Sequence, residues 1–393
     1  MKRRSFLAAG GAAGLAATIS GLAPTAPALA GLARPAAKDA KDGGATGPGS
    51  LRSLAARIGL HVGTAVIPFD LNTPDYAAIL ASQFSCVTPG NAMKWGSVEP
   101  VQGQFDWSDA DALVSFAERH GQLVRGHTLL WHNQLPGWLT TGVANGTISS
   151  AQLWSLLEQH IFTEVGRYRG RIWQWDVANE FFTDSNPSML NPADFWISNL
   201  GPTVIPQAFR WARQADPHAL LFYNDYNIAG EDGTNAKSDA AYAWLRQMLD
   251  QGVPIDGVGN QGHLDTQFGF PAQLQQDLDR FTGLGLRTAI TEADVRTFVN
   301  NATDQVPTDA LAQFAQPYEF DQMMKACLEV PGCISFTVWG FGDADSWVPG
   351  FFAGEGYATL YDVNLSPKPA YFALQQDLQL AASGAPRRVR TMR

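Results

Sequence analysis

The feature that most constrains the fold is a regular alternation of apolar, strand-like segments with helical segments between Leu51 and Leu380. The strands are predicted at residues 60–66, 83–88, 122–128, 172–178, 219–224, 255–261, 286–291 and 334–339. The helices between them are predicted to include residues 109–120, 150–168, 202–214, 236–251 and 272–284. This alternation predicts an α/β protein with a single (β/α)8 barrel over residues 51–380. An open doubly wound sheet is the alternative, but no Gly-x-Gly-x-x-Gly turn follows the first strand.

Three residues support the predicted helix ends. Ser150 is a candidate N-cap for the helix at 150–168, since serine side chains accept hydrogen bonds from the first turn. Gly121 and Gly252 follow two other helices at the position where a C-terminal cap is expected.

Two of the predicted strands end in a carboxylate. The segment 173–180 alternates Trp173, Trp175 and Val177 with smaller or polar residues and closes on Glu180. A second apolar segment, 288–294, contains Glu292, 112 positions later. Taken alone, each carboxylate could be structural or could cap the next element. Two glutamates at the ends of two barrel strands instead favour chemistry by a pair of carboxyl groups.

The charge balance narrows the class of substrate. The 393-residue chain carries a net charge of −10, and 45% of its residues are hydrophobic, which is enough for a large core. The first 30 residues contribute three positive charges and no acid, so the remainder carries −13. Such an acidic protein is a poor partner for nucleic acid or an anionic membrane surface, and a neutral substrate suits it better.

Both ends of the chain differ from the predicted barrel. Residues 1–30 resemble an export signal of the twin-arginine type, because Arg3 and Arg4 precede an uncharged run that ends in a small-residue cleavage site, Ala28-Leu29-Ala30. A membrane anchor is the weaker alternative, and the general secretory route is a second one. Residues 31–50 are predicted to be a flexible linker, and residues 381–393 a disordered basic tail. We therefore expect a secreted protein that is monomeric and not bound to a membrane after signal removal.

The chain has three cysteines. Cys327 and Cys333 lie six positions apart across a predicted helix-to-strand turn, which in an exported protein favours a disulfide. Cys86 lies within an apolar strand, where a buried, inert thiol is expected. No Cys-x-x-Cys pair is present, and the histidines form no compact ligand cluster, so no metal is expected.

Polar and aromatic residues collect at the carboxyl ends of the predicted strands, where barrel enzymes carry their active sites. They are Asn91, Lys94, Trp95, His127, Trp131, His132, Gln134, Asn179, Glu180, Asn224, Asp225, Tyr226, Gln261, His263, Glu292, Asp294, Trp339 and Trp347. Any single one could be a core residue. Together they favour a carbohydrate cleft, since aromatic rings stack on sugar faces and amides and imidazoles hydrogen-bond hydroxyl groups.

Nine short motifs occur in order along the chain, at 87–95, Glu99-Pro100, 125–136, 175–180, 223–227, 257–264, 290–295, 338–340 and 366–371. Through these motifs the chain from residue 51 to residue 374 resembles glycoside hydrolase family 10, the family of retaining endo-β-1,4-xylanases. The resemblance implies that Glu180 is the general acid/base and Glu292 the nucleophile. It also implies that Asn179 holds the sugar 2-hydroxyl, and that His263, steadied by Asp294, hydrogen-bonds the nucleophile.

The same resemblance implies that the sugar subsites are lined by Asn91, Lys94, His127, Trp131, Gln134, Gln261, Trp339 and Trp347. The substrate would be xylan or a decorated plant glycan, the implied mechanism needs no cofactor, and a disulfide at Cys327–Cys333 is common in the family. Three residues depart from the pattern. Gly90 replaces a glutamate that grips a sugar toward the non-reducing end, while Asn133 and Gly262 replace serines. Gly90 suggests a branched plant glycoside as an alternative substrate, and a non-catalytic, sugar-binding barrel is a remote alternative.

Overall fold

Eight parallel strands close into a barrel in the structure of the chain, a computed structural model that describes residues 47–231 and 233–384. In chain order the strands are β1 (His61–Val66), β2 (Cys86–Pro89), β3 (Leu123–Leu130), β4 (Gln174–Asn179), β5 (Leu220–Asp225), β6 (Gly257–Asn260), β7 (His263–Asp265), β8 (Arg287–Phe298), β9 (Cys333–Val338) and β10 (Glu355–Gly356). The barrel order is β1-β2-β3-β4-β5-β6-β8-β9, and β9 pairs with β1 to close it. The predicted (β/α)8 architecture is confirmed.

Helices connect the strands. They are α1 (Leu51–Ala56), α2 (Pro74–Gln83), α3 (Trp95–Val98), α4 (Ser108–Arg119), α5 (Gly137–Ala144), α6 (Ser150–Arg167), α7 (Phe195–Leu200), α8 (Val204–Ala215), α9 (Ala236–Asp250), α10 (Leu274–Gly283), α11 (Ala312–Glu329), α12 (Val348–Phe351) and α13 (Pro369–Ser383). Gly121 follows α4 and Gly252 follows α9, with φ of 60° and 69°. These angles lie in the left-handed region that the residue after a helix often adopts, and glycine adopts it without steric cost.

One predicted cap is wrong by one residue. The N-cap of α6 is Ser149, and Ser150 is already the first helical residue. The Ser149 side chain accepts from the backbone N–H of Gln152, and the Gln152 side chain accepts from the backbone N–H of Ser149. This reciprocal capping box satisfies two N–H groups at once, which Ser150 could not do from inside the first turn.

Two strands differ from their predicted form. The strand predicted at 286–291 runs on to Phe298, because β7 pairs with its outer half in parallel and β10 in antiparallel orientation. All six residues of β4 are buried, so the alternation in its sequence does not mark a solvent face. A barrel strand faces side chains on the inside and helices on the outside, and both sides are therefore dry. Trp175 in β4 fits because a Cβ at Gly126 would lie 2.2 Å from its ring.

The ends of the fold extend slightly past the predicted boundaries. Ser50 is buried and caps α1, with its side chain accepting from the N–H of Ser53, and α13 continues through Ser383. The predicted signal at 1–30, most of the predicted linker and the tail beyond residue 384 lie outside the described residues. Among the described residues, no helix is both long and apolar enough to cross a membrane.

The cysteines follow their predictions. Cys327, in α11, is joined to Cys333, at the first residue of β9, by a disulfide. Cys86 is buried and free, and burial raises the pKa of its thiol to about 12. The disulfide therefore lies at the end of the barrel where strand β9 begins, and the polar residues described next lie at the opposite end.

Candidate active site

The two glutamates predicted from the strand ends both lie at the carboxyl end of the barrel. Glu180 follows the last residue of β4, and its backbone N–H donates to the carbonyl oxygen of Asn224 at 3.0 Å. Glu292 lies midway along β8, and its N–H donates to the carbonyl oxygen of Gln261 at 2.8 Å. The main chain at Glu180 is thus hydrogen-bonded to β5, and the main chain at Glu292 is hydrogen-bonded to the residue that follows β6.

Glu292 is enclosed by hydrogen-bond donors and positive charge. Only 4% of the residue is exposed, and Asn224 Nδ2 donates to Oε1 at 2.8 Å. His263 Nε2 lies 3.4 Å from Oε2, and Arg125 Nη2 lies 3.7 Å from Oε1. Burial acts to raise the pKa of Glu292, but the hydrogen bond from His263 and the nearby charges outweigh it and lower the pKa to about 2. This environment holds Glu292 as a carboxylate.

His263 is held from its other side. Its Nδ1 lies 3.0 Å from Asp294 Oδ1, and Trp347 Nε1 donates to Asp294 Oδ2 at 2.7 Å. Burial acts to lower the pKa of His263, but the charge and hydrogen bond of Asp294, together with Glu292, outweigh it and raise the pKa to about 10. The histidine therefore stays a cation between two carboxylates, which fixes its ring and supports the charge on Glu292.

Glu180 has neutral partners instead. Trp131 Nε1 donates to Oε2 and Gln261 Nε2 donates to Oε1, each at 2.8 Å. Glu180 is half-buried and has a φ of 61°, a conformation that non-glycine residues rarely adopt. Such a conformation persists only where the surroundings hold it, and it is frequent at functional sites.

Asn224 connects the two carboxyl-bearing strands. Its Nδ2 donates both to Glu292 Oε1 and, at 2.7 Å, to Asn179 Oδ1, while Thr291 Oγ1 donates to its Oδ1 at 2.7 Å. Asn179 is buried, and its Nδ2 has no hydrogen-bond partner among the described residues. A buried amide donor without a partner, one residue before Glu180, is available for a ligand oxygen.

The wall beside Glu180 combines amides, a cation and aromatic rings. Asn91 Oδ1 accepts from Lys94 Nζ and from Gln134 Nε2, both at 3.0 Å, and the Lys94 ammonium lies 4.6 Å from the centre of the Trp131 ring. Burial lowers the pKa of Lys94 to about 8, although Glu292 and Glu180 oppose the shift. The structure thus brings these four residues to the same end of the barrel as the carboxyl groups.

The remaining predicted residues complete this face. The ring of His127 meets the ring of Trp339 edge-on at 5.2 Å and that of Trp131 at 6.2 Å. The Trp347 ring lies 5.2 Å from that of His263. The thirteen predicted site residues are therefore linked, directly or through Asn224, by hydrogen bonds and ring contacts at the carboxyl end of the barrel.

Two residues of this site, Arg125 and Asp176, were not singled out from the sequence, and Asn224 was placed at this face without a role. Arg125 bonds Asp176 through its Nε and Nη2 and donates from Nη1 to the Thr291 carbonyl oxygen at 2.9 Å. His127 Nδ1 also lies 2.8 Å from Asp176 Oδ2. Opposite charges within two neighbouring apolar strands were the available signal, because a buried charge needs a partner.

The three positions that depart from the family pattern differ in their contacts and in the backbone conformation. A Cβ at Gly90 would lie 3.4 Å from the Val66 carbonyl oxygen, which is an ordinary contact, so an alanine fits there. Gly262 has a φ of 79°, and a Cβ there would lie 3.3 Å from Ile290 and from Met323, so a serine would be strained. The Asn133 side chain lies 3.3 Å from His132 Nε2. In residues 47–231 and 233–384, no group of three or more metal-ligating side chains forms a candidate metal site.

Comparisons with known proteins find endo-1,4-beta-xylanases that are similar to this chain. Endo-1,4-beta-xylanase B of Thermotoga neapolitana is 38% identical over 329 residues, which cover 83% of this chain and 90% of the relative. An endo-1,4-beta-xylanase of Agaricus bisporus is 40% identical over 329 residues, covering 83% and 93%. The crystal structure of xylanase 10B from Thermotoga petrophila RKU-1 in complex with xylobiose superposes with a TM-score of 0.78 at 37% identity, covering 85% of this chain and 98% of the other.

The family comparison covers most of the chain. The model of the family described as glycosyl hydrolase family 10 matches residues 50–377, which include every strand and every site residue described above. With this match and relatives at 38% and 40% identity, the chain belongs to glycosyl hydrolase family 10.

Proposed function

We propose that this protein is a retaining endo-β-1,4-xylanase that hydrolyses internal bonds of xylan by double displacement, with Glu292 as nucleophile and Glu180 as acid/base. The observation that carries the assignment is the contrast between the two carboxyl groups. Glu292 is held as an anion by His263, Arg125 and Asn224, while the side chains that donate hydrogen bonds to the Glu180 carboxyl, Trp131 and Gln261, are neutral. Retaining hydrolysis needs one ionised carboxylate to attack and one protonated carboxyl to donate.

In the first step a carboxylate oxygen of Glu292 attacks the anomeric carbon, and the bond from that carbon to the leaving oxygen breaks. Glu180 gives its proton to the leaving oxygen and becomes a carboxylate. The positive charge of the oxocarbenium-like transition state is stabilised by the adjacent Glu292 anion, and the free Nδ2 of Asn179 donates to the 2-hydroxyl of that sugar.

In the second step water hydrolyses the glycosyl–Glu292 ester. Glu180 now takes a proton from the water, whose oxygen bonds the anomeric carbon while the ester bond to Glu292 breaks. Glu180 is protonated again and Glu292 is again a carboxylate. Two inversions leave the product in the β configuration, and the reaction consumes only water.

The sugar chain would lie along the residues around this centre. Trp339 and Trp347 offer apolar ring surface, while Asn91, Lys94, His127 and Gln134 offer hydrogen bonds to hydroxyl groups. A neutral polysaccharide also suits the acidic chain. Because the two carboxyl groups carry out both steps, this proposal assigns no step to a metal ion or an organic cofactor.

Proton NMR of residues 31–393 acting on an unbranched xylo-oligosaccharide tests the proposal. Fresh reducing ends are expected as the β-anomer, which then converts to the equilibrium mixture. Fresh α-anomers would contradict retention. A folded protein without any hydrolysis of xylo-oligosaccharides or decorated glycans would leave a non-catalytic, sugar-binding barrel as the better assignment.

Gly90 favours a second candidate substrate, a branched plant glycoside or decorated xylan. The lack of a side chain at Gly90, next to Asn91, would leave room for a substituent that a longer side chain would exclude. Replacing Gly90 with Glu is expected to lower kcat/KM on branched oligosaccharides and to raise it on plain xylo-oligosaccharides. Ala at the same position is the control, since it adds only a Cβ in ordinary contact. Equal effects of Gly90→Glu on both substrates would rule out this candidate.

We also propose that the enzyme is exported by the twin-arginine route. Arg3 and Arg4 at the start of an uncharged, small-residue segment support this assignment, and a polymeric substrate would be met outside the cell. In a bacterial host, replacing Arg3 and Arg4 with Lys should retain xylanase activity inside the cell, while the unchanged chain is exported. Export of both chains would contradict the twin-arginine assignment.

A further inference from the structure

The buried ammonium group of Lys237 is connected to the residue next to Glu180 through two side chains. Lys237, in the first turn of α9, is 1% exposed, and its Nζ lies 3.0 Å from Asp225 Oδ1. The same Nζ lies 3.5 Å from the centre of the Tyr226 ring. A cation this deep is costly unless it has such partners, and removing it would leave the Asp225 carboxylate buried without its counter-charge.

Hydrogen bonds connect the Asp225 carboxylate to the main chain next to Glu180. Its Oδ2 accepts a hydrogen bond from the Tyr223 hydroxyl, and that hydroxyl oxygen accepts from the backbone N–H of Phe181 at 3.2 Å. Phe181 directly follows Glu180. We call Lys237, Asp225 and Tyr223 the Lys237 network; its three side chains are all buried.

A second path runs from the same residue to the Glu180 carboxyl. The carbonyl oxygen of Asp225 accepts from the N–H of Gln261 at 3.0 Å, and the Gln261 side chain donates to Glu180 Oε1. Glu180 is thus restrained on its backbone and on its carboxyl by groups that depend on Asp225. The left-handed φ of Glu180 makes this restraint necessary, because the residue would otherwise relax to an ordinary conformation.

We propose that Lys237 is a positioning residue for proton donation: by compensating the charge of Asp225, it keeps Tyr223, the N–H of Phe181 and hence the Glu180 carboxyl in place. This inference rests on the proposed function, in which Glu180 protonates the leaving oxygen. Lys237 acts only through other residues, and no contact between Lys237 and the substrate is required.

The charge state of Asp225 supports the inference. Burial raises the pKa of Asp225 to about 6, even though Lys237 and Tyr223 act to lower it. Without the ammonium, the pKa of Asp225 rises further, so the buried carboxyl takes up a proton at a higher pH. A protonated Asp225 is a weaker acceptor for the Tyr223 hydroxyl, so the contact to Phe181 loosens.

A positioning role for proton donation has a signature that a general loss of structure lacks. Cleavage of a poor leaving group such as phenol depends on Glu180, whereas 2,4-dinitrophenolate leaves without protonation. Since kcat/KM reports only the steps through formation of the glycosyl–enzyme, it separates proton donation from the later hydrolysis.

The experiment compares kcat/KM for phenyl and 2,4-dinitrophenyl β-xylobioside in the wild type, Lys237→Met and Tyr223→Phe. Each variant should lose about 10²-fold with the phenyl substrate and less than about threefold with the dinitrophenyl one. Asp184→Asn is the matched control. It removes the exposed partner of Tyr226 and Lys237 but keeps the buried Lys237–Asp225 pair, so both substrates should react within about twofold of the wild type.

Each result decides the matter. Equal losses with both substrates, or no loss with either, would overturn the proposal. If Lys237→Met does not fold, as judged by circular dichroism, then Tyr223→Phe alone decides by the same criterion. Failure of the wild type to cleave either substrate would refute the proposed function instead, and would be recognised before any variant is made.

Discussion

The surroundings of Glu292 and Glu180 differ although the sequence around each has the same design, an apolar strand that ends in a carboxylate. Glu292 receives a cation from β7 (His263) and another from β3 (Arg125). Glu180 receives an indole N–H from the loop after β3 and an amide N–H from the residue after β6. The local sequence therefore places a carboxyl group in the cleft, and side chains from other strands decide its chemistry.

In the proposed mechanism this difference separates the two roles. Charged partners favour the anion of Glu292 in both steps, whereas the proposed acid/base, Glu180, must give and take a proton. A pair with two anionic sites, or with two neutral ones, could not carry out the proposed double displacement. We therefore propose that the reaction depends on this asymmetry.

The largest expected effect is that of removing the nucleophile. Glu292→Ala should lower kcat/KM by about 10⁴-fold or more on every substrate, regardless of the leaving group, because no covalent intermediate can form. The measurement is kcat/KM on phenyl and 2,4-dinitrophenyl β-xylobioside. Glu118→Gln, which breaks only the exposed pair with Arg171, is the control and should retain full activity. More than about 1% residual activity would contradict the role of Glu292.

Removing the acid/base should have a smaller and selective effect. Glu180→Ala should lower kcat/KM by about 10²- to 10⁴-fold on the phenyl substrate but only a few-fold on the dinitrophenyl substrate. Turnover of the latter should stall at the glycosyl–enzyme, and added azide should restore it and give the β-glycosyl azide. An effect that is the same for both leaving groups would contradict the contrast drawn between the two carboxyl groups.

The third prediction concerns the pKa of Glu292, which should rise when His263 is replaced. His263→Asn removes the main contribution that lowers the pKa of Glu292 from its ordinary value to about 2, so the carboxyl will take up a proton at a higher pH. The acid limb of kcat/KM, measured from pH 3 to pH 7, should shift upward, and the loss of activity should grow as the pH falls. Trp347→Phe, which removes the indole N–H donated to Asp294, should shift it in the same direction but less. An unchanged acid limb in His263→Asn would show that His263 does not tune Glu292.

How much of this structure can be predicted from the sequence depends on how far apart the interacting residues lie along the chain. The barrel and the two carboxylates follow from short patterns, since alternating apolar segments and polar strand ends are local features. The same holds for α6 to within one residue, although the capping box that Ser149 forms with Gln152 was not predicted. Interactions between residues that are close along the chain can therefore be predicted from a single sequence.

The parts that were missed depend on strand register. Arg125 and Asp176 lie 51 positions apart in sequence and meet only because β3 and β4 are neighbours in the barrel. Asn224 reaches both Asn179 and Glu292 for the same reason. The extension of β8 to Phe298 depends on its pairing with β7 and β10, which no pattern within residues 286–298 encodes.

The smallest expected effect comes from the end of the barrel opposite the carboxyl groups. Replacing both Cys327 and Cys333 with Ser opens a short loop and should lower the free energy of unfolding by about 2 kcal/mol, because the reduced chain gains entropy when unfolded. Denaturant unfolding measures this change, and kcat/KM on both aryl substrates should stay within about twofold of the wild type. Ser replacement of the free Cys86 is a contrasting control, since it affects packing without opening a loop. A selective loss with the phenyl substrate in the double Ser variant would mean that the disulfide region also positions Glu180, and the separation between a stabilising end and a catalytic end of the barrel would then fail.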